Sequence, residues 1–158
     1  MPRRRKIEVL QAMIMSRLLY GLSTAWANVA EVRRLNGFQA RCLRPIMGIK
    51  PAFISRVSNA SVLFQAGQVP LGKQLQRQQL LLYGKVARSP ATDPLRQVAF
   101  CPGTLRPATS RYVRRTGRPR NEWATMLERE SYKMSPQAGQ MIHNVADWKD
   151  AVQRHCSL

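Results

Sequence analysis

Between residues 1 and 121 the chain carries 22 lysines or arginines and three acids, Glu8, Glu31 and Asp93. Cations in that ratio cannot be neutralised by the chain's own carboxylates. Any fold must therefore turn most of them to solvent and tolerate their mutual repulsion. Residues 122–158 reverse the balance, with four bases and five acids. A formal charge of +18 on 158 residues points to a polyanionic partner, and phosphate backbones are the commonest one.

Enough apolar surface is present to fold against that repulsion. Hydrophobic residues make up 44% of the chain, too many for wholesale disorder. Cys42, Cys101 and Cys156 are odd in number and far apart, which supports neither a zinc site nor a disulfide framework and suits a reducing compartment. Arg3-Arg4-Arg5-Lys6, an apolar stretch and Ala25-Trp26-Ala27 imitate a secretory signal. Glu8, Gln11 and Arg17 interrupt it, and no run reaches membrane-spanning length, so no membrane partner is expected. The expected location is the nucleus or cytoplasm. The same Arg-rich start keeps the mitochondrion as the alternative.

Periodicity is helical wherever it exists, and the expected fold is all-α. From Ile7 to Leu22 the apolar residues nearly encircle the axis, with Ile7, Leu10, Ile14, Leu18 and Leu22 central, which predicts a helix at the heart of the core. Asn28 and Glu31 have the spacing of a capping box. In the helix they open, Val32, Leu35, Phe38, Cys42 and Leu43 share one side. Arg33, Arg34, Arg41 and Arg44 share the other, and Pro45 should end or kink it. A short helix over 59–66 closed by Gly67 follows, then one opened by Pro70 and running to about Arg88. Its Leu71, Leu75, Leu82 and Val86 face one way and Lys73, Arg77, Lys85 and Arg88 another. Asp93-Pro94 starts one or two turns more.

Residues 101–120 hold six arginines, no acid and repeated Pro and Gly, which predicts an extended basic linker. Asn121 can cap a helix carrying Trp123, Leu127 and Met134. Ser135-Pro136 opens a last one, with Ala138, Met141, Val145, Trp148 and Val152 in line. The expected organisation is a helical bundle over 7–100, the linker over 101–120 and a C-terminal helical pair over 121–156.

Catalytic chemistry is hard to place on this chain. Its two histidines, His143 and His155, have no nucleophile partner by spacing, and the scattered acids before residue 121 cannot cluster around a metal ion as phosphoryl transfer requires. Phosphate-cradling Gly-rich loops are missing as well. Cys42, on the apolar side of its helix, reads as a packed thiol, and the three tryptophans as core residues.

Several segments together resemble one family. Leu18-Leu19-Tyr20-Gly21, then Arg34-Leu35-Asn36-Gly37-Phe38-Gln39-Ala40-Arg41-Cys42-Leu43-Arg44-Pro45-Ile46-Met47-Gly48-Ile49, are similar to the region after the polymerase palm in non-LTR (LINE-type) retrotransposon reverse transcriptases. Asn59 with Val62-Leu63, Leu82-Tyr83-Gly84-Lys85-Val86-Ala87-Arg88, Gly117-Arg118-Pro119-Arg120-Asn121-Glu122-Trp123 and Trp148-Lys149 continue the pattern in order over roughly residues 17–149. Lys85 stands where the family usually has His, and Pro45 where a second Arg is common. The resemblance implies the thumb and C-terminal region of an RNA-directed DNA polymerase, with Met1 at an internal position of the longer protein. In such a fragment the metal-binding aspartates belong to an absent palm. No cofactor is expected in this chain, and Mg only with that palm.

On this reading the partners are RNA, DNA or an RNA/DNA hybrid, together with the missing palm. The residues expected to contact nucleic acid are Arg33, Arg34, Arg41, Arg44, Lys73, Arg77, Arg88, Arg114, Arg115, Arg118 and Arg120. Contacts of this kind go mainly to phosphates and set register without reading sequence. Thr116-Gly117-Arg118-Pro119-Arg120 also resembles the core of a minor-groove hook, although Thr116 replaces its first Arg. Two rivals account for the same charge: a structural RNA-binding protein of an organellar ribosome, and a domesticated scaffold whose terminal helices hold a partner.

Overall fold

The computed structural model describes residues 1–108 and 122–157. Eleven helical segments are seen among them: α1 (Arg3–Leu10), a π-helical turn (Gln11–Met15), α2 (Ser16–Tyr20), α3 (Val29–Met47), α4 (Ala52–Ser55), α5 (Asn59–Gln65), α6 (Leu71–Arg88), α7 (Pro94–Ala99), α8 (Trp123–Met134), α9 (Ala138–Met141) and α10 (Val145–Cys156). A single 3-10 turn, Leu22–Thr24, follows α2. No strand occurs among the described residues, only one isolated antiparallel bridge between Phe100 and Pro107. The fold is all-α, as the periodicity predicts. None of these helices is long and apolar enough to cross a membrane.

The chain divides into two compact units. One comprises Met1–Ser23 and Ala27–Gln76, the other Thr24–Trp26 and Arg77–Leu158. The division falls inside α6, not at residue 100, and the C-terminal helices share a core with the second half of α6. They are not a separate appendage.

The first unit has an aliphatic core of Leu10, Met15, Leu19, Leu43, Val62, Leu63, Leu71 and Leu75. The stripe at its N-terminus differs from expectation. The π turn inserts an i→i+5 step, so buried positions run 10, 15, 19 instead of 10, 14, 18. Ile14 is consequently exposed, with Val9, Met13 and Tyr20, and this helix covers the core with one side only.

α3 begins as predicted. The Asn28 side chain accepts from the Glu31 N–H at 3.0 Å, and the Glu31 carboxylate accepts from the Asn28 N–H at 2.7 Å. Pro45 does not end it. In the last turn a proline removes one bond, to the carbonyl of exposed Arg41, where water can replace it. The helix runs on to Met47 and stops at Gly48, whose φ of 73° is the left-handed conformation glycine tolerates. Gln39, fully buried, ties α3 to the start of α6: its amide nitrogen donates to the Val69 carbonyl at 3.0 Å and its oxygen accepts from the Leu71 N–H at 2.8 Å.

Aromatic rings fill the second unit. Tyr83 lies 5.4 Å from Phe100 edge-on, 6.1 Å from Trp123 and 6.3 Å from Trp148, centroid to centroid. Trp148 is fully buried and donates its indole N–H to the Leu80 carbonyl at 3.0 Å. Gly84 makes that approach possible, since a Cβ there would overlap the indole.

Three further expectations are corrected in this unit. Residues 101–108 are not an extended tether. The Cys101 N–H donates to the Arg106 carbonyl at 2.8 Å and the Ala108 N–H to the Ala99 carbonyl at 3.1 Å, while Leu105 packs on the core. Glu122, not Asn121, stands at the N-cap of α8, and Asn121 lies outside the described residues. The last helix is two, because the Asn144 side chain caps a fresh start at Ala146 N–H, which leaves Val145 exposed.

Candidate nucleic-acid interface

α3 carries the expected arginine face only in part. Arg33, Arg34 and Arg41 are exposed, and among the described residues none of them is ion-paired. Arg34 and Arg41 stand seven residues apart, two turns of one line and about 10.5 Å of rise. Glu31, the sole acid on α3, has its carboxylate committed to the capping box. One negative charge, held at the helix start, stands against the arginines of α3.

Arg44 departs from expectation. It is 4% exposed and donates to four neutral oxygens: the Lys50 carbonyl at 3.3 Å, Ser55 Oγ at 3.4 Å, the Val57 carbonyl at 2.8 Å and Asn59 Oδ1 at 3.0 Å. Arg33 and Arg44 are eleven residues apart, close to three full turns, so a wheel puts them on one line. What separates them is the chain after Gly48, which folds back over the C-terminal end of that line and leaves its beginning open. Arg44 is a buried framework residue and does not belong to the exposed face. A guanidinium stays charged even when buried, and hydrogen bonds to carbonyl dipoles compensate its lost hydration.

The loop that Arg44 organises was not singled out by sequence reasoning. α4 presents Phe53 at 83% exposure and Ile54 at 55%, between exposed Lys50 and Arg56. Arg56 has φ 53°, a left-handed conformation costing a non-glycine residue about 1–3 kcal/mol. Its neighbour's carbonyl, that of Val57, is the shortest of the four Arg44 bonds. The available signal was the apolar pair Phe53-Ile54 standing between Lys50 and Arg56 in the chain.

The remaining expected contacts scatter. Lys73 is half-buried in the first turn of α6. Arg77 is exposed, in the second unit. Arg88 is half-buried there and donates to the Ile142 carbonyl at 2.7 Å, a helix-to-helix tie. Arg114, Arg115, Arg118 and Arg120 lie outside the described residues, as does the Gly117-Arg118-Pro119 segment.

Other chemistry is sparse. An apolar cavity of about 470 Å³ in the second unit is lined by Leu82, Val86, Leu95, Val98 and Trp123, with Glu122 the one ionisable side chain on its described wall. Among the described residues no three His, Cys, Asp or Glu come together as a metal site. His143 is exposed in the turn between α9 and α10. Cys42 is half-buried, and burial pushes its thiol pKa up although Arg41 pulls the other way. That favours the protonated thiol over the reactive thiolate. Comparison with known protein families, with curated proteins and with solved structures finds no match for this chain.

Proposed function

We propose that this chain is a nucleic-acid-holding helical module, resembling the thumb and C-terminal portion of a retrotransposon reverse transcriptase, that grips a template–primer duplex while a palm outside this chain does the chemistry. The observation that carries the proposal is the α3 face. Arg33, Arg34 and Arg41 stand exposed on one helix whose single carboxylate is consumed by its own cap. Exposed guanidiniums free of ion pairs along one helix suit backbone phosphates, which they bind in bidentate fashion. Contacts to phosphate and to the shape of an A-like hybrid, with little sequence reading, fit a role that must accept any template. Any Mg would be held by the palm's aspartates.

Titrating the full chain against an RNA/DNA hybrid at several salt concentrations tests this. The expected result is tight, sequence-indifferent binding whose log affinity falls steeply with log salt. A flat response would remove phosphate contact from the account. The ribosomal rival is separated by the genomic frame upstream of Met1: an open frame encoding a Tyr/Phe-x-Asp-Asp turn supports the polymerase, and a promoter with a cleaved transit peptide supports the ribosome.

A further inference from the structure

We infer that Phe53 is a stacking platform for an unpaired base at the end of the bound duplex, held in place by the buried Arg44 guanidinium and flanked by Lys50 and Arg56. The inference rests on the nucleic-acid reading above and adds to it a specific contact of a different chemistry, to a base in place of a phosphate.

Three observations converge on this residue. Phe53 is 83% exposed, yet its loop is tightly held: Arg44 bonds the backbone before α4 at Lys50, the side chain of Ser55 within it and the backbone after it at Val57. Ser55 Oγ in turn donates to the Lys50 carbonyl at 3.0 Å. A rigidly presented aromatic loses little freedom when a flat partner covers it, and every base has a π-face to offer.

Charge selects the occupant. Lys50 and Arg56 flank Phe53 three residues away on either side in the chain, both exposed, in a unit holding twelve bases and two acids, so an anionic partner is favoured and a cationic second copy of this chain is opposed. Phe64, equally exposed at 87%, shows the contrast: residues 60–69 contain no cation. The left-handed backbone at Arg56, rarely adopted by residues with a side chain, aims the chain out of α4 and is held by the adjacent Val57 bond.

The test uses two hybrids of equal duplex length, one blunt and one with a single-stranded DNA overhang carrying 2-aminopurine at its first unpaired position. The wild-type chain should bind the overhang about tenfold tighter than the blunt hybrid and quench the 2-aminopurine. Phe53→Ala should abolish both the preference and the quench, leave blunt-end binding and thermal midpoint unchanged, and be rescued by Phe53→Trp. Salt-sensitive binding of both hybrids with an unaltered preference in Phe53→Ala would overturn the platform and leave the nucleic-acid reading standing. Failure of the wild-type chain to bind either hybrid would overturn both. A changed sedimentation of free Phe53→Ala, with overhang binding intact, would assign the ring to self-association and overturn the platform as well.

Discussion

The two compact units solve the same problem, folding under self-repulsion, in opposite ways. The first, Met1–Ser23 with Ala27–Gln76, holds twelve bases against two acids, and both acids are engaged locally, Glu31 in the α3 cap and Glu8 with Arg4 one turn back. Its core is aliphatic, and of the fourteen large hydrophobic side chains exposed among the described residues, ten are here, Phe53, Phe64 and Tyr20 included. The described part of the second unit holds nine bases and six acids, packs Tyr83, Phe100 and Trp148 inward and turns its half-buried Arg88 and Arg96 onto carbonyls, those of Ile142 for the one and of Ala87 and Ser89 for the other. The first unit leaves eight of its nine arginines exposed with two acids beside them, whereas the second tucks two of its six described arginines against its own carbonyls and sets six acids among the rest. The scarcity of acids beside exposed arginines is what makes the first unit the one proposed to meet nucleic acid.

The largest effect should come from the arginine that crosses this division of labour. Arg44→Met removes the guanidinium donor from four oxygens, of which the Lys50 carbonyl keeps only Ser55 Oγ, and should cost about 3 kcal/mol or more in urea unfolding. All three tryptophans belong to the second unit, so far-UV dichroism should lose more than tryptophan fluorescence does. Equal shifts in both would show that the units unfold as one and that their contrast is not energetic. Next comes Gly84→Ala, which drives a methyl into the Trp148 indole and should cost about 1–3 kcal/mol, read this time in the tryptophan transition. An unchanged midpoint would mean that the indole can move aside.

Replacing Arg33, Arg34 and Arg41 together by Gln should leave both unfolding transitions in place. The salt dependence of hybrid binding should become shallower by about 2 to 3 in log–log slope, one step per lost phosphate contact. An unfolded triple variant would make that face structural. The smallest effect belongs to Glu128, whose carboxyl pKa is raised by burial, with Arg106 and Arg129 opposing. A raised folded-state pKa means that ionisation disfavours the fold, so its contribution is lost as pH climbs from the ordinary carboxylate value, about 4.3, through the raised one. Glu128→Gln should therefore melt slightly higher than wild type near neutral pH and no higher in acid; the same increment at both would trace the gain to packing.

Local chemistry was legible without the fold. The Asn28–Glu31 box, the Asp93 cap with Pro94 in the first turn, the closure at Gly67 and the opening of α6 after Pro70 all stand where spacing places them. Each depends on neighbours within one helical turn. The misreadings share the opposite property. Ile14 turned outward because a π turn shifts register by one residue, which hydrophobic periodicity averages away. Residues 101–108 folded back because the Ala99 carbonyl was there to accept. Arg88 was enlisted by a carbonyl 54 positions along the chain.

By itself the sequence determined helices, their caps and an excess of cations with almost no acids to meet them, since these follow from composition and from contacts a few residues long. Which cations reach solvent was settled only by tertiary structure. Arg33 and Arg44 lie on one line of one helix, and the difference between an exposed guanidinium and a buried one is whether the chain beyond Gly48 returns to cover it. Hydration of a charge depends on every segment within reach, so no helical wheel can decide it.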